Sequence, residues 1–293
     1  MKVATSQYDI GYFERFESFA DKLEHWVSSA GDAELVLFPE YAAMELTSLF
    51  GHEVYSDLQL QLKAMQGALP DWTALHQELA RRHNKVIAAA SFPVEFNDGY
   101  VNRVHVFGPA GLAGSQDKCI MTRFENEQWF ISPGATLKPI QTELGSLGVI
   151  TCYDAEFPLL GHQLAQAGCE ILLAPSCTDT QAGFNRVAIG ARARAMENQC
   201  YVIHSPTVGM ADWSPAVDEN IGRAGIYGPI DHGFPQDGVL NQATDDQPQW
   251  VFADLDLTAL GQVRRDGQVL NRKDWSKQEH YLNDHPRSES KNH

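Results

Sequence analysis

The stretch Leu147-Gly148-Val149-Ile150-Thr151-Cys152-Tyr153-Asp154-Ala155-Glu156-Phe157-Pro158 constrains the fold most. Leu147 to Ile150 is a short, wholly apolar run, the mark of a strand covered on both faces. Pro158 suits the first turn of a helix, where its missing N–H costs nothing. Leu159, Leu160, Leu164 and Ala167 follow at helical spacing, and Gly168 supplies the stop. The cysteine therefore sits in a strand-to-helix turn, where the positive end of a helix favours a thiolate.

The same grammar runs through the chain. Val3–Gln7 reads as a strand, and Phe16, Phe19, Leu23, Trp26 and Val27 share one helix face. Glu34–Phe38 is a buried strand ended by Pro39-Glu40. Asp57–Met65 is a candidate helix, and Asp71 can cap another carrying Trp72, Leu75, Leu79 and Ala80. Strands are expected at Val86–Ala90, Val101–Phe107, Ile171–Ala174, Tyr201–Ile203, Ala224–Tyr227 and Trp250–Leu255, with a long helix at Phe184–Asn198. Gln116–Gly134 mixes charge with Trp129 and Phe130, as a site-lining loop does. Strands alternating with helices imply α/β layers in one domain, residues 1–263. The polar stretch 264–293 reads as an extended tail, partly ordered unless a partner subunit holds it.

Composition excludes several roles. The net charge is −16 over 293 residues, which repels nucleic acid and anionic membranes. No run is long enough to cross a bilayer, and the start lacks the apolar core of a signal peptide, so the expectation is a cytoplasmic protein. The five cysteines are odd in number and lack a CxxC pair, which argues for reduced thiols over a disulfide framework or a zinc ribbon.

Glu40, Lys118 and Cys152 each have an ordinary reading alone: a solvated acid, a loop lysine, a buried inert thiol. With their flanking segments they resemble the nitrilase, or carbon–nitrogen hydrolase, superfamily. The matching pieces are Leu37-Phe38-Pro39-Glu40; Asp117-Lys118 with Glu127–Gly134 after it; Gly148–Asp154; Ala191–Asn198 with Tyr201–Ile203; and Val3–Gln7. The resemblance spans residue 3 to about residue 255. It implies a four-layer αββα sandwich, built by pairing two-layer halves across subunits in a homodimer or larger homo-oligomer. It also implies a Glu-Lys-Cys triad on Glu40, Lys118 and Cys152. The family's second glutamate falls on Glu127, counted back from Pro133-Gly134, with Glu125 as the rival. Cys119 has no role, and Cys169, Cys177 and Cys200 are packing residues.

The implied reaction is hydrolysis of a small-molecule amide through a thioester on Cys152. Glu40 is the general base, raised into range by burial, and Lys118 with the Tyr153 N–H stabilises the oxyanion. No metal or organic cofactor is needed. Many relatives that take carboxylate-bearing substrates carry arginine four positions after the cysteine, where this chain has Glu156. That exchange points to a neutral or amine-bearing linear amide, although an acid near a helix start is also favoured by the dipole. Asp154 can serve as a helix cap alone. Tyr41, Tyr153, Thr178 and Asp179 neighbour the strand ends and are substrate-binding candidates. Arg186, Arg192, Arg194 and Glu197 either pair along their helix or brace the site. The rivals are nitrile hydrolysis, a silent binding scaffold, and a cysteine–histidine pair using His162 or His204.

Overall fold

The computed structural model describes residues 1–283. Its architecture follows from three runs of apolar side chains sorted by strand alternation. In the strand Leu35–Leu37, Leu35 and Leu37 face one way and Val36 the other; in Ile171–Ser176, Ile171 and Leu173 oppose Leu172. Val3, Leu35, Leu37, Val86, Val104 and Val106 from one sheet pack directly on Leu147, Val149, Ile171, Leu173 and Ile203 from another. Outside the first sheet, Ala4, Val36 and Ile87 meet the helices Phe16–Ser29 and Leu58–His83. Outside the second, Ile150, Leu172, Ala174 and Val202 meet the helices Pro158–Gln166 and Gln181–Asn198. The order is helix, sheet, sheet, helix. All four layers lie in a single chain, so the expected assembly of the sandwich from half-sandwiches on different subunits is corrected.

The first sheet has parallel strands Lys2–Asp9, Leu35–Leu37 and Val86–Ala88, then the antiparallel run Phe92–Phe96, Gly99–Gly108 and Gly111–Asp117. The second has parallel strands Gly145–Val149, Ile171–Ser176 and Tyr201–Met210, with Gly225–Tyr227 antiparallel beyond them. The sheets join where Tyr8 and Asp9 pair with Thr207 and Val208.

Two details depart from the sequence reading. Asp57, whose side chain accepts from the N–H groups of Gln59 and Leu60, caps one continuous helix, Leu58–His83, that runs through Pro70. Packing of Leu62, Met65, Trp72 and Leu79 along one face carries the helix past the proline, so two helices become one. The stretch after Arg264 is not extended: Leu257–Asp266, Asn271–Asp274 and Glu279–Asn283 are helical, and the remainder of the expected tail lies outside the described residues. Arg264 donates to Gln199 O at 2.8 Å and Arg272 to Ala165 O at 2.7 Å, so each stitches the tail onto the C-terminal end of an outer helix. Among the described residues no helix is long and apolar enough to cross a membrane.

Candidate active site

Glu40, Lys118, Cys152 and Cys177 each follow the C-terminal end of a strand, at the same edge of the sandwich. Glu40 and Lys118 come from the first sheet, Cys152 and Cys177 from the second. Two of the turns run through left-handed backbone: Tyr41 has φ of 54° and Cys152 of 49°. A non-glycine residue held there is strained, and such strain collects where a side chain has to be aimed.

Glu40 is the hub. Its Oε1 accepts from Lys118 Nζ at 2.9 Å and from Asn102 Nδ2 at 2.9 Å, and its Oε2 accepts from the Cys177 N–H at 3.0 Å. The Cys152 thiol donates to the Cys177 carbonyl at 3.9 Å and feels the charge of the same carboxylate. Lys118 also donates to Glu125 Oε2 at 2.7 Å, and Glu125 is fixed in turn by Tyr41 Oη at 2.8 Å and by the Thr122 N–H and hydroxyl, both at 2.9 Å. Glu40, Lys118 and Glu125 are all buried.

These neighbours set the charges. Burial raises Glu40 above the ordinary carboxylate range, with Lys118 opposing it and Glu125 reinforcing it. Burial alone would lower Lys118 and raise Glu125; their mutual attraction, with Glu40 beside the lysine, outweighs it and shifts both the other way. Burial, reinforced by Glu40, pushes the Cys152 thiol well above its usual value. These surroundings favour the thiol, against the pull towards a thiolate expected from the turn. A short 3-10 turn, Cys152–Glu156, separates it from the helix that begins at Pro158, which removes the dipole that would have ionised it.

The structure brings Glu125, the rival, to Lys118 and leaves Glu127 away from it. Glu127 lies half-exposed on the outside and pairs with Arg123 at 2.7 Å; Glu125 is the one that meets Lys118. Residues Glu125–Trp129 form a π-helical turn followed by Phe130 at φ of 60°, so counting back from Pro133-Gly134 misses the register. A usable signal was present, since Arg123 and Glu127 make an i,i+4 pair typical of solvent, whereas Glu125 follows Phe124.

Of the binding candidates, Tyr153, Glu156, Thr178 and Asp179 line a cavity of about 650 Å³ that opens onto Cys152. Tyr41 does not line it and stands behind Glu125 instead. Met121, Phe124, Val187 and the hairpin tip Pro215–Val217 supply apolar wall, and Asp218 and Glu219 add two further carboxylates. Glu156 is loosely paired with Arg186, Nε to Oε1 3.5 Å. Arg194 pairs with Glu197 at 2.9 Å and also donates to Ala155 O at 2.8 Å, so it does both things expected of its helix.

Asp154 does more than cap. Its carboxylate accepts the N–H groups of Cys119, Ile120 and Thr151, with Ile120 the shortest at 2.8 Å, and so ties the lysine loop to the cysteine turn. Burial pushes it up to about 7 against the pull of those donors. Cys119 is half-buried, its thiol pushed up to about 12, and it does not line the cavity. Cys177, expected only to pack, lines the cavity and gives Glu40 its main-chain N–H. Sequence reasoning also missed Asn102, and an amide side chain between the valines Val101 and Val104 was the available signal. His162 stacks on Trp275 with ring centroids 3.9 Å apart, and His204 bonds Ser176 at 2.8 Å; neither lines the cavity. Among the described residues no group of three or more His, Cys, Asp or Glu is placed to hold a metal ion.

The family model described as carbon-nitrogen hydrolase matches residues 2–265. A probable hydrolase, YhcX, from Bacillus subtilis is 31% identical over 276 residues, covering 94% of this chain and 53% of that protein. The deaminated glutathione amidase of Mus musculus is 44% identical over 140 residues, covering 47% of this chain and 40% of that protein. The chain thus spans about half the length, or less, of these curated relatives. A carbon–nitrogen hydrolase from Helicobacter pylori G27 shares the fold at a TM-score of 0.73, with 22% identity over 90% of this chain and 92% of that one. With the match running through every strand end that carries a site residue, the chain belongs to the carbon–nitrogen hydrolase family.

Proposed function

We propose that the protein is an amidase that cleaves a small linear amide through a thioester on Cys152. One observation carries the reading: Glu40, buried and raised, bonds the Lys118 ammonium and acts on the Cys152 thiol through its charge. A neutral thiol needs a base at the moment of attack, and a raised carboxylate beside it is matched to that task. As Sγ bonds to the amide carbon, the thiol proton moves to Glu40. The carbonyl oxygen gains negative charge and is met by Lys118, whose third N–H is not used by Glu40 or Glu125, and by the Tyr153 N–H. Glu40 then passes its proton to the leaving nitrogen, and a water attacks the thioester with Glu40 again as base. Glu125 holds the lysine and does not react.

The cavity supports a substrate longer than the amide group alone, since sites of about 300–1,000 Å³ enclose most of a drug-sized ligand. Its carboxylates, Glu156, Asp179, Asp218 and Glu219, outnumber its arginines, Arg123 and Arg186, and Arg123 is already neutralised by Glu127. That balance favours a neutral or amine-bearing tail over an acidic one.

The test is ammonia release from matched pentanamides, with a methyl, an amine or a carboxylate at the far end, alongside intact mass of the protein. The wild-type should turn over the neutral and amine forms better than the acid, and a trapped acyl adduct should map to Cys152. Cys152→Ala should lose turnover and keep its fold. Activity persisting in Cys152→Ala would refute the reading, and preference for the acid would refute the assignment of the tail.

A further inference from the structure

Asn102 lies in the middle of the strand Gly99–Gly108 and is wholly buried. Its Nδ2 donates to Glu40 Oε1 at 2.9 Å, while its Oδ1 has no partner among the described residues. An orphaned buried acceptor costs about 1–3 kcal/mol, so packing alone would favour an apolar side chain here, as at Val101 and Val104. Turning the amide over would set its oxygen against a carboxylate, so the N–H is what the position supplies. The same residue's main-chain oxygen accepts the Lys118 N–H at 2.9 Å, which fixes the lysine's strand end to the residue that holds the base.

The two oxygens of Glu40 are occupied differently. A carboxylate oxygen offers about two lone-pair directions, and Oε1 spends both on Asn102 and Lys118. Oε2 spends one on the Cys177 N–H. Cys152 Sγ donates to the carbonyl of that same Cys177 at 3.9 Å, so the residue that occupies Oε2 also holds the nucleophile.

Resting on the amidase reading, we propose that Asn102 is a positioning residue: it closes Oε1 and leaves Oε2 as the single port through which Glu40 exchanges protons. The proton of Sγ passes to Oε2 as the S–C bond forms and leaves from Oε2 to the departing nitrogen as the C–N bond breaks. A water proton then arrives at Oε2 as the new O–C bond forms, and returns to Sγ as the C–S bond breaks. Without Asn102 the carboxylate has a second open site and can be protonated where neither thiol nor leaving group reaches it.

The experiment uses Asn102→Ala and the isosteric Asn102→Asp in the full chain. It follows kcat and KM for ammonia release from pentanamide, and the rate at which iodoacetamide alkylates Cys152, both against pH. For Asn102→Ala, kcat should fall about 10–100-fold with KM little changed. Its acid limb should move up by about half to one pH unit, in turnover and in alkylation alike, because the ionised Glu40 has lost a donor. For Asn102→Asp, reactivity should survive on the acid side, where the new carboxyl is protonated and can donate, and collapse as pH rises.

A wild-type kcat in Asn102→Ala overturns the proposal, and so does a fall in kcat with the acid limb unmoved, which is what a merely structural role would give. Should Asn102→Ala fail to fold, Asn102→Asp decides, and a wild-type pH profile there overturns the proposal. Alkylation needs no amide. If the wild-type releases no ammonia while the alkylation limb still moves as stated, the amidase reading fails and the role of Asn102 stands.

Discussion

Glu125 and Glu127 are two residues apart and live in different solvents. Glu125 is buried against Lys118, Tyr41 and Thr122, whereas Glu127 faces water with Arg123. Breaking a buried, hydrogen-bonded ion pair by removing one partner costs about 3–5 kcal/mol, whereas an exposed i,i+4 pair is worth about 0.3–0.5 kcal/mol. Glu125→Gln keeps the shape and removes the charge that holds Lys118. We expect kcat to drop at least about 100-fold, the usual cost of misplacing an oxyanion donor. Glu127→Gln should stay within about two-fold of wild-type. Steady-state kinetics on the two variants checks this, and equal losses would return the role to Glu127. The sequence carried Glu40 and Cys152 because each closes an apolar strand whose pattern is local, whereas Lys118, after the polar strand Gly111–Asp117, stood out only through the family resemblance. It did not carry Glu125 with the same clarity, because a π-helical turn has no periodic signature of its own. Tyr41 shows the same limit from the other side, since its position after Glu40 was readable but the left-handed turn that aims it backwards was not.

At the scale of elements, the site depends on loops held to one another more than on any single strand. Asp154 gathers N–H groups from the lysine loop and the cysteine turn, so its loss strands several buried donors at once. Asp154→Ala should lower stability by about 2–4 kcal/mol and reduce kcat more than it raises KM. Denaturant unfolding with kinetics on the same preparation tests it; a loss of stability with full activity would show that the lysine loop holds its place unaided. The sequence suggested Asp154 as a cap, and the neighbouring Thr151 main chain does use it so, but its reach into a loop more than thirty residues earlier depends on tertiary packing. The helix through Pro70 was misread for a related reason. Local propensity says stop, and a face of Leu62, Met65, Trp72 and Leu79 buried on the sheet says continue.

Across the whole molecule, three buried histidines set an acid limit. Burial lowers His76 to about 3, and His105 and His204 to about 4, from an ordinary value of 6.5. The folded state keeps them neutral while the unfolded chain takes up protons first. Their contribution is complete above about 6.5 and is lost as pH falls toward 4, at up to about 1.4 kcal/mol per pH unit for each. The raised carboxyl of Glu40 works in the opposite sense. His105 has an unpartnered Nδ1 beside Trp72 and Phe107, so His105→Phe should flatten the fall in unfolding free energy between pH 6.5 and 5. An unchanged slope would exclude His105 as a cause.

The division of the site between two sheets has a consequence of its own. The base and the lysine ride on one sheet and the nucleophile on the other; among the described residues the sheets share strand pairing at Tyr8–Asp9 with Thr207–Val208, and side chains such as Ser205, whose Oγ donates to Ser6 O at 2.7 Å, and Asp154 supply the other polar ties. On the proposed mechanism, catalysis works as a vernier on the alignment of the two layers. A slip too small to melt either one already parts Glu40 from Cys152. On heating, turnover should fade before ellipticity does, and an acyl group held on Cys152 should act as a rivet across the seam that brings the two losses back together.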